Sequence, residues 1–404
     1  MLDLSQNPIV YVTRDIERAL GLPIHTLGYY IISNYSEFAN KNYKSQGNVL
    51  LIQEDSPLDT WQLLKHKTTI DFVSRLHTPH ILLFKNTPQI ERICQEQGWN
   101  FLNPSAEFAN NVEEKISQVA WLGELTKYLP PHEIKLCRDV TWNEKPFILQ
   151  FNRAHTGLGT FFINDEKKLN ELQETFPNRE ARITDYIVGP MFTSNNVVTH
   201  TDILMGNINY QITGLKPFTK NPFATIGNDW GIVKELLNEK QIKTYKKITT
   251  DIGNKLRQDG WKGLFGVDIM LDEKTGELYL IEINARQPAS TTYESILQQK
   301  TSDFSKQTSD TTFEAHTRAL LGERVRDIIK IEDGAQIILR NQEGLRITSD
   351  ELQDKLQKDG FAITPYSNTK PGSDLLRIQS KTSIMKKHNE FNENGQSILN
   401  NLAM

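Results

Sequence analysis

The chain has 404 residues, of which 38% are hydrophobic and 24% are charged, and its formal net charge at pH 7 is −4. This length is too great for one small hydrophobic core and predicts several structural units. The acidic balance excludes a broad basic surface, so no nucleic-acid partner is expected. No segment has the ~20 consecutive apolar residues of a membrane-spanning helix. The two cysteines, Cys94 and Cys137, form no metal or disulfide pattern. We therefore expect a cytoplasmic protein without a membrane partner.

The first hundred residues alternate short apolar runs with helical patterns. Apolar runs at 9–13, 29–33, 49–53 and 81–84 predict strands, and segments 15–20, 60–65 and 89–97 predict helices. Such alternation is typical of a small open α/β sheet. No G-x-G-x-x-G motif follows the first strand, so the fingerprint of a dinucleotide-binding unit is absent.

A second unit follows a predicted helix over residues 106–128, which Pro130 and Pro131 end. Beyond it the chain contains both strand and helix patterns, including two strands at 197–202 and 209–213 that look antiparallel. The other predicted strands are 146–151, 161–163, 183–188, 336–339 and 375–378, and the other predicted helices are 165–174, 242–258 and 313–321.

The most informative segment is 265–286, FGVDIMLDEKTGELYLIEINAR, in which two alternating apolar strands flank a turn. If Leu271 pairs with Tyr279 in an antiparallel hairpin, Asp268 lies directly opposite Glu282. Side chains alternate between the two faces of a strand, so a register shift of one residue would separate these two carboxylates. The pairing is therefore an assumption that the structure tests.

Two carboxylates that face each other repel, and a divalent cation between them relieves the repulsion. Asp268, Glu282 and Asn284 offer only oxygen ligands, which suits Mg²⁺ together with phosphate and water. Arg286 lies one step further on the Glu282 face and is placed to hold an oxyanion such as a phosphoryl group. The plain alternative is a hairpin whose polar face is simply solvated.

A glycine loop lies between two predicted strands. Its residues Thr156, Gly157, Gly159 and Thr160 can lie flat over a polyphosphate and offer backbone N–H donors. The loop is not a Walker P-loop, because G-K-[ST] is missing and a strand follows it. By itself the signal is weak, since most loops of this kind are plain hairpins.

The order of these features resembles the ATP-grasp superfamily over roughly residues 1–325. The resemblance implies an α/β chain in which a Rossmann-like pre-ATP-grasp domain precedes a two-part α+β ATP-grasp fold and a small C-terminal region. The implied boundaries are 1–105 for the first domain, 106–130 for a linker helix, 131–190 for the small lid subdomain, 191–330 for the large subdomain with the metal and phosphate site, and 331–404 for the C-terminal α+β region.

The resemblance also implies the site residues. Lys115 looks like the family's first nucleotide lysine, residues 185–189 like the hinge that pairs with adenine, and the glycine loop like the phosphate lid. Met270 and Leu280 share the acidic face in the assumed pairing and either pack under the adenine or are ordinary core residues. The nucleotide-binding candidates are Lys115, Gln150, Thr156, Gly157, Gly159, Thr160, Asp185, Tyr186, Ile187, Lys216, Met270 and Leu280; the metal candidates are Asp268, Glu282 and Asn284; and the catalytic candidates are Arg286 and Lys115.

Two of these candidates have plainer alternatives or depart from the family pattern. Lys216, in a loop after a predicted strand, is a candidate for the γ-phosphate, and the alternative is an exposed loop lysine. Gln150 occupies a position where the family usually has lysine, so one positive charge is lost. Arg153 or His155 could compensate, or the nucleotide binds more weakly.

The resemblance implies an ATP-dependent ligase that uses ATP and Mg²⁺, with Mn²⁺ as an alternative ion. Its partners would be a small-molecule carboxylate, activated as an acyl phosphate, and an amine or other nucleophile that captures it. A homodimer is left open. Two alternatives stay open as well: another ATP-grasp chemistry, such as carboxylation or thioester formation, and a nucleotide-binding module without turnover.

Overall fold

The computed structural model describes residues 2–152, 159–306, 308–341, 350–366 and 370–402. The predicted lid residues Thr156 and Gly157, and the candidates Arg153 and His155, lie outside the described residues. In the described part of the chain, no helix has both the length and the apolar character needed to cross a membrane.

The N-terminal unit is a five-stranded parallel sheet, which confirms the predicted open α/β sheet. Its strands are β1 (Ile9–Thr13), β2 (Tyr29–Asn34), β3 (Val49–Ile52), β4 (His80–Leu83) and β5 (Asn100–Phe101), and its helices are α1 (Glu37–Tyr43), α2 (Thr60–Lys65), α3 (Lys67–Val73) and α4 (Pro88–Glu96), with a 3-10 turn at Ile16–Ala19. The strand order is β3-β2-β1-β4-β5. Every residue of β1 is buried because the sheet has a hydrophobic core on each face.

The predicted continuous helix over 106–128 is wrong, because the segment breaks before Lys115. It consists of α5 (Ala106–Glu113), α6 (Ser117–Leu122) and a 3-10 turn at Gly123–Tyr128. Glu114 is extended at the break. The Asn152 side chain stabilises the break: its Oδ1 accepts from the backbone N–H of Ile116 at 2.8 Å and its Nδ2 donates to Glu114 at 2.8 Å.

The second sheet is small and antiparallel. It contains β6 (His132–Leu136), β7 (Phe147–Phe151), β8 (Thr160–Ile163) and β9 (Glu180–Asp185), in the order β6-β9-β7-β8, and α7 (Glu166–Thr175) packs beside it. The strand predicted at 183–188 therefore begins and ends earlier than expected. The segment after Asp185 leaves the sheet and crosses to the third sheet.

The third sheet has nine strands and the largest core of the molecule. Its strands are β10 (Met191–Val198), β11 (Ile203–Leu204), β12 (Asn209–Thr213), β13 (Thr225–Asp229), β14 (Gly263–Leu271), β15 (Leu278–Asn284), β16 (Ala335–Arg340), β17 (Ala362–Pro365) and β18 (Asp374–Ser380). The main order is β15-β14-β10-β12-β13-β16-β18-β17, and β11 pairs with β10. Strands from both sides of residue 330 thus share one sheet, and the predicted domain boundaries stay a prediction.

The remaining elements surround this sheet. They are α8 (Val233–Leu236), α9 (Glu239–Gln258), α10 (Thr291–Gln299), α11 (Ser302–Lys306), α12 (Thr312–Leu321), α13 (Asp350–Lys358), α14 (Glu393–Leu402) and a short hairpin of β19 (Met385–Lys387) and β20 (Glu390–Phe391). The longest, α9, buries one apolar stripe against the sheet, where Tyr245, Ile252 and Leu256 belong to the main core.

The β14–β15 hairpin has the predicted carboxylate pair but not the predicted register. Asp268 does lie opposite Glu282, whereas Leu271 pairs with Leu278 rather than Tyr279. A bulge between Asp268 and Ile269 accounts for the difference, because an extra residue on β15 shifts the pairing by one. Asp268 and Glu282 therefore face each other although the turn is one residue tighter than expected.

Candidate active site

Asp268 on β14 is held in place by two neighbouring amides. Its Oδ1 accepts from Nε2 of Gln211 on β12 at 2.8 Å, and its Oδ2 accepts from Nδ2 of Asn284 on β15 at 3.2 Å. Burial and the facing Glu282 carboxylate raise the pKa of Asp268 to about 6. The carboxylate is thus ionised at neutral pH but close to accepting a proton.

Glu282 has the opposite electrostatic environment. Burial alone would raise its pKa, but the neighbouring cations Lys115 and Arg286 outweigh burial and hold the pKa of Glu282 below its usual value. Lys115 Nζ lies 3.2 Å from Glu282 Oε2. Both carboxylates are therefore charged at neutral pH, and the cations lie beside Glu282.

The donor set fits a magnesium ion. Within the described ranges no three His, Cys, Asp or Glu side chains cluster, so an all-protein cage is not formed there. Two carboxylates and the Asn284 amide, whose nitrogen already bonds to Asp268, leave oxygen atoms for a hard cation. Mg²⁺ is typically held by one or two carboxylates and completes its shell with substrate phosphates and water.

Lys115 lies in the break between α5 and α6 rather than within a helix. Apart from its ion pair with Glu282, its buried Nζ has no hydrogen-bond partner among the described residues. A buried ammonium group with unused donors is costly unless an anion joins it. Lys115 is therefore the residue of the site most clearly missing a partner.

Arg286 follows β15 and contacts Glu113 at the end of α5. Its Nε lies 3.3 Å from Glu113 Oε1, while Lys85 Nζ lies 2.6 Å from Glu113 Oε2. One carboxylate thus sits between two cations and holds the guanidinium beside the carboxylate pair. The predicted catalytic candidates Lys115 and Arg286 both lie next to Glu282.

The N-terminal sheet also holds this end of the site. The guanidinium carbons of Arg18 and Arg286 lie 4.5 and 5.8 Å from the centre of the Phe84 ring, which follows β4. The next residue after Arg286 is the buried Gln287, whose Nε2 donates to the Arg18 carbonyl at 3.0 Å. Its Oε1 accepts from the Tyr11 hydroxyl at 2.7 Å. The first sheet therefore orients the segment that carries Arg286.

Gln150 lies at the end of β7 and contacts Thr160 across the β7–β8 hairpin. Gln150 Nε2 donates to Thr160 Oγ1 at 3.2 Å, and the Gly159 carbonyl accepts from the Phe151 N–H at 2.9 Å. Gln150 Oε1 also accepts two hydrogen bonds from Arg182 on β9. The structure thus brings Gln150, Gly159 and Thr160 together and adds an arginine that the sequence did not indicate.

Comparison with known proteins identifies the unit that contains this site. Residues 112–290 match a family profile described as an ATP-grasp domain. This segment is similar to the ATP-grasp domain family. It contains the break with Lys115, the small sheet and the β14–β15 hairpin.

Several solved structures match nearly the whole chain in fold at low sequence identity. N5-carboxyaminoimidazole synthetase from Staphylococcus aureus aligns with a TM-score of 0.66 at 14% identity, covering 100% of this chain and 99% of that one. Carboxyaminoimidazole ribonucleotide synthase from Aspergillus clavatus, complexed with ATP, aligns with a TM-score of 0.66 at 14% identity, covering 98% of each chain. L-amino acid ligase from Bacillus licheniformis aligns with a TM-score of 0.62 at 14% identity, covering 98% and 96%. A comparison with curated proteins found no match.

The predicted hinge of the ATP-grasp domain links its two sheets. Asp185 ends β9, and within the described residues the backbone groups of Tyr186 and Ile187 form no hydrogen bond. Val188 then accepts from the Glu273 N–H at 3.0 Å, which joins the segment to the β14–β15 turn. Free backbone donors and acceptors at this position suit an adenine, and the assignment of these residues to adenine stays a prediction.

The predicted face of the hairpin is correct for Met270 and wrong for Leu280. Met270 is half-buried on the Asp268 side of β14. Leu280 instead pairs with Ile269, and both are fully buried in the main core. The reason is the bulge: Ile281 has no partner on β14, so the residues before it change faces. Leu280 therefore cannot lie under an adenine on the acidic face.

Lys216 is exposed in the loop after β12, and its predicted contact with phosphate stays a prediction. The sequence analysis missed three residues of the site: Gln211, Glu113 and Arg182. Gln211 lies within β12, Glu113 ends α5 and Arg182 lies within β9. The one signal that the sequence offered was a charge in the middle of the strand EARITD. Their partners lie far away in the chain, so their roles needed the fold.

Proposed function

We propose that this protein is an ATP-dependent ligase that joins a small carboxylic acid to an amine or another nucleophile. The observation that carries the proposal is a pair of facing carboxylates, Asp268 and Glu282, flanked by the incompletely partnered Lys115 and by Arg286. Opposed carboxylates next to cations suit a metal–triphosphate complex. The match to an ATP-grasp domain supports the same ligand.

In this proposal the reaction has two steps. A carboxylate oxygen of the acid attacks the γ-phosphorus of ATP, ADP leaves, and an acyl phosphate forms. The nucleophile then attacks the acyl carbon, and inorganic phosphate leaves. Bound Mg²⁺ would supply charge neutralisation for the phosphates, held by Asp268, Glu282 and Asn284.

The protein's own residues would position and stabilise charge in this reaction. Lys115 and Arg286 offer the positive charge that a transferring phosphoryl group requires, and the hinge backbone offers the polar edge that an adenine requires. Such a reaction needs little covalent participation from the protein. The names of the structural neighbours, which include two synthetases or synthases and an L-amino acid ligase, support ligation.

We place the acid substrate in a cavity of about 240 Å³ between the N-terminal unit, α10 and the C-terminal strands, which Arg286 itself does not line. Arg18 and Ala289 line this cavity, and Arg18 shares the Phe84 ring with Arg286. Arg377 is the second arginine that lines the cavity, and Phe38 and Tyr43 contribute apolar wall. These features suit a small amphipathic acid.

The test is ADP release from Mg²⁺-ATP in the presence of paired carboxylates and amines. We expect turnover that requires both partners, and we expect Glu282→Gln to abolish ADP formation because it removes a charged metal ligand. The matched control is Glu277→Gln, an exposed residue in the turn of the same hairpin, which should leave turnover unchanged. Normal turnover by Glu282→Gln would contradict the metal assignment.

Gln150 favours one other function, a nucleotide-binding module without turnover, because it brings no charge to a position where the family usually has lysine. The same assay separates the two proposals. Tight nucleotide binding without ADP formation under every substrate pair supports the module, while two-substrate turnover supports the ligase.

A further inference from the structure

The unexpected contact in the ATP-grasp domain is between Gln150 and Arg182. The two residues are directly paired across β7 and β9, so their side chains lie on the same face of the small sheet. Arg182 is 2% exposed. Its Nε and Nη2 donate to Gln150 Oε1 at 3.1 and 2.6 Å, and its Nη1 donates to Gln118 Oε1 at 3.2 Å.

Arg182 is a buried cation held by neutral groups. Both side chains that accept its hydrogen bonds are amides, and no carboxylate of the described residues forms an ion pair with it. Burial lowers the pKa of Arg182 to about 10, so the guanidinium is still charged at neutral pH. A buried charge without a counter-ion in contact is unfavourable, so an anion bound next to Arg182 would stabilise the arrangement.

The carboxylate pair lies within electrostatic range of this arginine. Arg182 helps to hold the pKa of Glu282 down, together with Lys115 and Arg286, and Glu282 in turn favours the charged form of Arg182. A guanidinium has five N–H groups, of which three are used here, so two are left for oxygen atoms of a ligand. A planar guanidinium binds phosphate and carboxylate oxygens well, often through two parallel hydrogen bonds.

We propose that Arg182 supplies the phosphate-binding charge that Gln150 does not, and that Gln150 and Gln118 hold its guanidinium in place. This inference rests on the proposed function, because it assumes that a nucleotide triphosphate binds between the second and third sheets. The positive charge has moved from one strand to the next: β7 carries the amide and β9 carries the cation. Arg182 is a binding residue for the triphosphate, and Gln150 is its positioning residue.

The experiment measures binding of the non-hydrolysable analogue AMPPNP with Mg²⁺ by calorimetry, without any turnover. We expect Arg182→Met to weaken binding at least tenfold. The double variant Gln150→Lys with Arg182→Met moves the charge back to β7, and it should recover most of the lost affinity. Arg182→Lys keeps a charge on β9 and should lie between the wild type and Arg182→Met.

The outcomes separate this inference from the proposed function. If wild-type protein binds AMPPNP and Arg182→Met binds equally well, Arg182 does not bind phosphate and the inference fails alone. If Arg182→Met binds weakly and the double variant restores nothing although it unfolds at the wild-type temperature, a charge on β7 does not replace Arg182 and the inference also fails. If wild-type protein binds no AMPPNP, the proposed function fails and takes the inference with it.

Discussion

Asp268 is the proposed metal ligand whose charge changes closest to neutral pH. Burial and the facing Glu282 raise its pKa to about 6, so below pH 6 a proton competes with a divalent ion for the carboxylate. In metal-free protein this raised pKa contributes to the free energy of unfolding. The contribution is complete below pH 3.8, the pKa of the group in the unfolded chain, and is lost as the pH rises through 6. In the proposed metal site, the same residue would thus bind a proton at low pH and the metal at neutral pH.

We expect the affinity for Mn²⁺, used as a spectroscopic substitute for Mg²⁺, to fall about tenfold per pH unit below pH 6 and to change little above pH 7. Electron paramagnetic resonance of free Mn²⁺ at pH 5.0 and 7.5 measures this directly. Asp268→Asn removes the titrating group, so its weaker binding should lose most of the pH dependence. Equal wild-type affinity at both pH values would show that Asp268 is not a ligand.

The break between α5 and α6 is the element that positions Lys115. Asn152 Oδ1 accepts from the backbone N–H groups of Ile116 at 2.8 Å and Ser117 at 3.3 Å, which lie at the start of α6. The contact joins the linker to the residue that follows β7, two positions after Gln150. A lysine that a straight helix would direct elsewhere is thereby placed 3.2 Å from Glu282.

We expect Asn152→Ala to lower the free energy of unfolding by about 1 to 2 kcal/mol, as the loss of a helix cap does, and to weaken AMPPNP binding because Lys115 is no longer held. Urea denaturation and calorimetry measure the two effects. Ser105→Ala is the matched control, because Ser105 caps the start of α5 by accepting from the Phe108 N–H at 3.1 Å. It should cost similar stability without affecting nucleotide binding, and a binding defect of the same size in both variants would argue against a specific role of the break.

At the scale of the whole molecule, the N-terminal sheet and the ATP-grasp domain are joined next to the site. The buried Tyr11–Gln287 hydrogen bond connects residues 276 positions apart, and Thr292 on α10 also donates to the Arg18 carbonyl at 3.2 Å. These contacts make the first sheet part of the wall that carries Arg286. The sheet is thus a structural support for the candidate site as well as an α/β unit with its own cores.

We expect a double-mutant cycle of Tyr11→Phe and Gln287→Met to show a coupling of about 1 kcal/mol in the free energy of unfolding, since each single change removes the same buried hydrogen bond. Urea denaturation of the four proteins gives this value. The same cycle on Tyr29→Phe and Gln287→Met should show no coupling, because the Tyr29 hydroxyl donates to the Ala19 carbonyl instead. Additive effects of the Tyr11 and Gln287 changes would mean that this contact does not join the two units.

The sequence by itself determined the parts that depend on local pattern. Alternation of apolar residues predicted the parallel sheet, the strands and the pair Asp268–Glu282. The acidic hairpin led to the proposal of a metal–phosphate site. Only the tertiary structure decided where an extra residue enters β15, which moves Leu280 into the core. It also decided where the helix breaks, which places Lys115 beside Glu282. It also decided that Arg182 stands beside Gln150, 32 positions away. The physical reason is that periodicity along one segment shows which side chains share a face. The position of a bulge, the break in a helix and the groups around a buried charge depend instead on partners from distant segments.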